Sequence, residues 1–79
     1  MKYHALTSWL RSQSSKVITT SFDFIEQLLR SQLPPSARKH RPWWGNESGA
    51  ASRQCRSWLA AGYHVESIDL QNGIVVFVR

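Results

Sequence analysis

Tyr3, Leu6 and Leu10 recur at spacings of three and four, which describes one face of a helix that gives way to the polar run Ser12-Gln13-Ser14-Ser15. Lys16 to Thr20, KVITT, is short and β-branched, as expected of a brief strand. Thr20 followed three residues later by Asp23 resembles a helix-start box, in which the hydroxyl and the carboxylate satisfy free N–H groups. Phe22, Ile25, Leu28 and Leu29 then share one face of a second helix, with Phe24 off that stripe, and the pattern stops before Pro34.

The connection that follows, LPPSARKHRPWWGN, is proline-flanked and carries three Lys or Arg side chains, a histidine and two adjacent tryptophans. Ala37 to Arg41 is expected to form a short helical turn that displays its cations, while the prolines and tryptophans pack the other side. Asn46 or Ser48 is placed to cap a third helix with Ala51, Cys55, Trp58 and Leu59 on its apolar stripe and Gly62 at its end. The opposite face of that helix is small, polar and cationic: Arg53, Arg56 and Ser57, flanked by Ser52 and Gln54.

The last segment, YHVESIDLQNGIVVFVR, predicts a hairpin, because Asn72-Gly73 between apolar runs suits a two-residue type I′ turn. That turn opposes Gln71 to Ile74, Leu70 to Val75, Ile68 to Phe77 and Glu66 to Arg79, and it buries Ile68, Leu70, Val75 and Phe77 on one face. The whole chain, residues 1–79, therefore reads as one small α+β domain of order α-β-α-α-β-β with a C-terminal β-hairpin.

That order resembles the winged helix-turn-helix domains, in which a short strand completes a three-stranded sheet with the hairpin and the third helix enters the major groove. A more local resemblance rests on Leu33, Pro34, Ser36 and Ala37, then Trp43, Trp44 and Asn46, then Trp58, Ala61 and Gly62. These positions are similar to a family of small bacterial and phage domains with the pattern LPxSA, WWxN and WxxAG. The family has no settled biochemical activity, so this resemblance implies a shared fold and names no function.

Composition narrows the chemistry. At 79 residues there is room for one modest core, and 42% hydrophobic with 19% charged residues is ordinary for a folded globule. Ten Lys and Arg against five Asp and Glu give +5, which favours polyanionic partners, nucleic acid first. The single cysteine, Cys55, cannot form an internal disulfide, and no apolar run reaches the roughly 20 residues of a membrane span, so a cytoplasmic protein with no membrane partner is expected. No catalytic constellation is visible: His4, His40 and His64 lie on different elements, and Cys55 falls on an apolar stripe. Cys and His pairs at zinc spacing and phosphate-cradling glycine loops are likewise missing from the sequence, so neither metal nor cofactor is expected.

Nucleic-acid contact is the better-supported chemistry. Arg38, Lys39 and Arg41 suit phosphate contacts from the connection, and Ser52, Arg53, Gln54, Arg56 and Ser57 are of the types that reach base edges or phosphates from a helix. Trp43 and Trp44 carry two readings, stacking on splayed bases or packing the connection against the third helix. Trp9 and Trp43 are the candidates for a partner contact, Trp9 in a homodimer or with another protein. The expected function is a non-enzymatic protein that binds double-stranded DNA, as a transcriptional regulator or an accessory protein. The alternative is a phage or bacterial protein-binding inhibitor or adaptor that acts on a host enzyme without reading DNA.

Overall fold

The computed structural model of the chain describes residues 2–46 and 54–79. Its elements are α1 (His4–Arg11), β1 (Val17–Ser21), α2 (Phe22–Leu29), α3 (Pro35–Lys39), a 3₁₀ turn (Arg41–Trp44), α4 (Cys55–Leu59), β2 (His64–Asp69) and β3 (Ile74–Val78). The three strands form one antiparallel sheet in the order β1-β3-β2, so the fold is α+β with a C-terminal hairpin that β1 completes. The expected order holds, with the connection adding α3 and the 3₁₀ turn. Ser48, Ala51, Ser52 and Arg53 lie outside the described residues.

Local chemistry explains the element ends. The polar run after α1 turns back on it: the Ser12 hydroxyl and the Gln13 amide both donate to the Trp9 carbonyl, at 2.6 and 3.0 Å. β1 passes straight into α2, and the cap is Ser21 rather than Thr20; its hydroxyl accepts the Phe24 N–H at 3.0 Å. Thr20 is still paired in the strand, opposite Val75, so it cannot turn towards the helix. Asp23 does sit in the first turn of α2, where a negative charge meets the positive end of the helix dipole. Beyond α4 the chain reverses through two crossed bonds, Gly62 N–H to the Leu59 carbonyl and Tyr63 N–H to the Trp58 carbonyl, with Gly62 at φ +87°.

The hairpin corrects the expected register. Asp69 opposes Ile74, Ile68 opposes Val75 and Val65 opposes Phe77, so the loop is four residues, 70–73, instead of two. The cause is a side chain: the Asp69 carboxylate accepts both the Asn72 backbone N–H (3.0 Å) and the Asn72 amide (2.8 Å), closing a wider turn than Asn-Gly alone would. The slip is by two positions, so Ile68 keeps its face, and a bulge between Val65 and Ser67 returns Val65 to the core side. Val65, Val75 and Phe77 are buried, whereas Ile68 and Leu70 are only partly covered. The expected Glu66–Arg79 pair does not form. Glu66 meets His64 at 3.2 Å, and Arg79 donates to the Ser14 carbonyl and lies over the Tyr63 ring.

These hydrogen bonds from Asn72 hold the Asp69 carboxyl below its ordinary pKa of 3.8. A folded-state value lower than the unfolded one means that the stabilisation is full above the unfolded pKa and disappears as pH falls through the folded one. An NMR titration should therefore place the Asp69 midpoint below 3.8, and Asn72→Ala should move it back towards that value. A wild-type midpoint at or above 3.8 would show that this carboxylate does not close the turn.

The core lies between the helices and one face of the sheet. Leu6 and Leu10 of α1, Phe22 and Ile25 of α2, and Val75 and Phe77 of β3 are all buried in it. The connection supplies the remainder: Leu33, Ala37 and Trp44 are as buried as the helix residues.

Candidate nucleic-acid interface

Aromatic stacking fixes the connection in place. Trp44 is 2% exposed and lies between Phe22, with ring centroids 5.0 Å apart and planes 11° apart, and Trp58, at 5.7 Å and 20°. Its indole N–H donates to the Ala37 carbonyl at 2.7 Å, which ties the end of the 3₁₀ turn to α3. The packing reading therefore holds for Trp44. Trp43 is half-buried, edge-on to Trp44 at 4.7 Å and to Tyr3 at 6.1 Å, and so keeps part of its ring in solvent. Burial holds the Tyr3 phenol above its ordinary pKa.

Asn46 does not cap the third helix. Its side-chain amide accepts the Val65 N–H at 2.8 Å, donates to the Val65 carbonyl at 2.9 Å and accepts the Trp58 indole N–H at 3.1 Å. This amide thereby imitates a strand alongside β2. Arg41 extends the same seam, donating from Nη1 to the Ile68 carbonyl at 2.7 Å.

With the connection held on its inner side, its cations lie outside. Lys39, His40 and Arg41 are exposed in sequence, and Arg56 is exposed on α4. Arg38 is differently placed: its guanidinium meets Asp23 at 3.1 Å and Glu26 at 2.9 Å and lies over the Phe22 ring, clamping α3 onto α2. Both carboxylates, Asp23 first, raise the Arg38 pKa further. Glu26 also accepts the Leu33 N–H at 2.7 Å, so the acids nearest the cationic stretch are already engaged by the fold. A shallow depression between α2 and α3 is lined by Glu26, Gln32, Leu33, Pro35, Arg38 and Lys39.

The expected helix face is corrected in two places. Ser57 is buried, its hydroxyl donating to the Gln54 carbonyl and its own carbonyl accepting from Thr7 at 2.9 Å, so it presents nothing to a ligand. Gln54 is half-buried and uses its amide on the Trp43 carbonyl at 3.0 Å. Ser52 and Arg53 lie outside the described residues, which leaves Arg56 as the described cation of that face. Trp9 is half-buried and packs edge-on against Phe24 at 5.0 Å, which accounts for the one aromatic of α2 that falls off its apolar stripe.

Cys55 is buried, and burial pushes its thiol pKa up, the direction opposite to that of a reactive thiolate. No cluster of three metal-ligating side chains occurs among the described residues, and none of the helices described is long and apolar enough to cross a membrane.

The model of the family DUF7662, a domain of unknown function, matches residues 3–79. The chain belongs to that family. No curated protein and no solved structure matches it. The DUF7662 span takes in every helix and strand described above, so the basic connection and the sheet whose edge it covers are parts of one family domain. Asn46 and Glu26 are the DUF7662 residues that sequence reasoning missed as organisers of this surface. No periodicity links either to the distant backbone it binds.

Proposed function

We propose that this chain is a non-enzymatic module that binds double-stranded DNA through the phosphate backbone, with the α3–3₁₀ connection as its principal contact and α4 beside it. The observation that carries the reading is the two-sided connection. Leu33, Ala37 and Trp44 anchor it in the core, and Lys39, His40 and Arg41 face solvent on a chain of net charge +5. Lys39 and Arg41, carried on a packed connection, lose less backbone freedom on meeting phosphates than the cations of a flexible basic tail do. A winged helix-like arrangement, a regulatory or accessory role on DNA and a cytoplasmic setting accompany this reading. With Ser57 buried and Gln54 engaged, contact to phosphate outweighs base reading in it.

Fluorescence anisotropy of labelled random duplex and single-stranded DNA, across a salt series, tests it. Micromolar duplex binding with a steep salt slope is expected. Lys39→Ala combined with Arg56→Ala should weaken binding to all sequences alike and reduce the slope by about 2. Absence of duplex binding even at low salt overturns the reading.

One observation favours the protein-binding alternative: the hairpin tip, Leu70-Gln71-Asn72-Gly73, has no cation to lay along a DNA backbone. A stoichiometric complex with a protein partner that added DNA does not disturb would support an inhibitor or adaptor instead.

A further inference from the structure

The two edges of the sheet are treated differently. Arg79 N–H donates to the Lys16 carbonyl and Phe22 N–H to the Gly73 carbonyl, both at 2.8 Å, so residues 16, 18, 20 and 22 turn their backbone groups towards β3. Val17, Thr19 and Ser21 must then turn theirs outward. On β2 the outward positions are occupied: Asn46 takes both backbone groups of Val65, and Arg41 takes the Ile68 carbonyl. On β1 no described residue bonds to the outward N–H or C=O of Val17 or Thr19. Nor does β1 carry what usually blunts an edge, since Val17–Ser21 contains no charge, no proline and no bulge. Val17, 58% exposed, is the one large hydrophobic side chain that stands in solvent among the described residues.

We propose that β1 is a self-association edge, on which a second copy of this chain pairs antiparallel about a twofold axis through Thr19. The register follows from the outward positions. Thr19 faces Thr19 of the second copy and Val17 faces Ser21, so outward-facing backbone groups meet one another and two three-stranded sheets become one of six. On the solvent face Val17 gains cover and the two threonines form a favourable cross-strand pair. Charge supports the same register. Lys16 stands just before the strand and Asp23, with 82% of its side chain exposed, just after it, so antiparallel pairing brings each Lys16 beside the Asp23 of the other copy. This inference does not depend on DNA binding, and a dimer that never touches DNA would satisfy it.

Sedimentation of the full chain over a concentration series tests the proposal, with a concentration-dependent monomer–dimer equilibrium expected. Thr19→Lys points into solvent in the monomer but sets two cations face to face across the axis, and it should weaken the dimer at least tenfold while far-ultraviolet circular dichroism stays unchanged. Thr19→Glu alone should do the same, and an equal mixture of the two variants should restore a heterodimer. A wild-type chain that is monomeric at millimolar concentration overturns the proposal, as does a dimer indifferent to Thr19→Lys or variants that fail to complement.

Discussion

Trp44→Ala should remove a large share of the stability of the domain, about 3–5 kcal/mol. The side chain is buried between Phe22 and Trp58, edge-on to Trp43, with its N–H on the Ala37 carbonyl. Truncating a fully packed tryptophan costs about 3–5 kcal/mol in lost burial and unfilled cavity. A chain of this length has about 4–12 kcal/mol to lose, from roughly 0.05–0.15 kcal/mol per residue. The loss also spreads, because Trp44 joins the connection to α2 and α4 at a single point. Trp44→Phe keeps an aromatic ring in the stack but removes the bond to Ala37, and about 1–3 kcal/mol is expected. Urea unfolding followed by circular dichroism separates the two variants. An alanine variant within about 1 kcal/mol of wild type would show that the stack does not hold the connection.

Asn46→Ala is the second large effect, about 2–3 kcal/mol, because three polar groups lose their partner together: the Val65 N–H, the Val65 carbonyl and the Trp58 indole N–H. Asn46→Asp is the informative companion. A carboxylate still accepts the Val65 N–H and the Trp58 N–H but has no hydrogen for the Val65 carbonyl, and it places a negative charge beside that oxygen. Asparagine is required at this position only if the donor half of its amide contributes, in which case Asp should be clearly less stable than wild type at neutral pH. Amide exchange at Val65 provides a local readout, accelerated in the alanine variant, which leaves that N–H without its acceptor. Protection of that amide in the alanine variant would mean that something other than Asn46 covers the β2 edge.

The parts of the fold legible in the sequence are those that depend on neighbours along the chain. Leu6 and Leu10, Phe22 and Ile25, and Trp58 followed by Gly62 announce their helices through spacing and chain reversal, and all lie where that spacing puts them. The hairpin was legible in kind but not in register, because the Asp69 carboxylate competes with the Asn-Gly dipeptide for control of the turn. The surface was least legible. Ser57 counts as polar by type, yet Thr7, 50 positions away, draws it inside. Arg38 reads as a free cation until α2 folds and sets Asp23 and Glu26 around it. Asn46 binds a backbone segment 19 positions away that no local pattern marks.

The position of β3 between the other two strands has a consequence for how the molecule is made. Val17 must wait for Val78, and His64 waits for the same residue, since the strand with which each outer strand pairs follows both of them in the chain. Until the ribosome has released residues 74–78, the emerging polypeptide can gather its helices but has no sheet, and its two β-branched segments remain as unpaired ribbons. Sheet formation is thus withheld until the third strand has been made, because that strand is the shared partner of the other two.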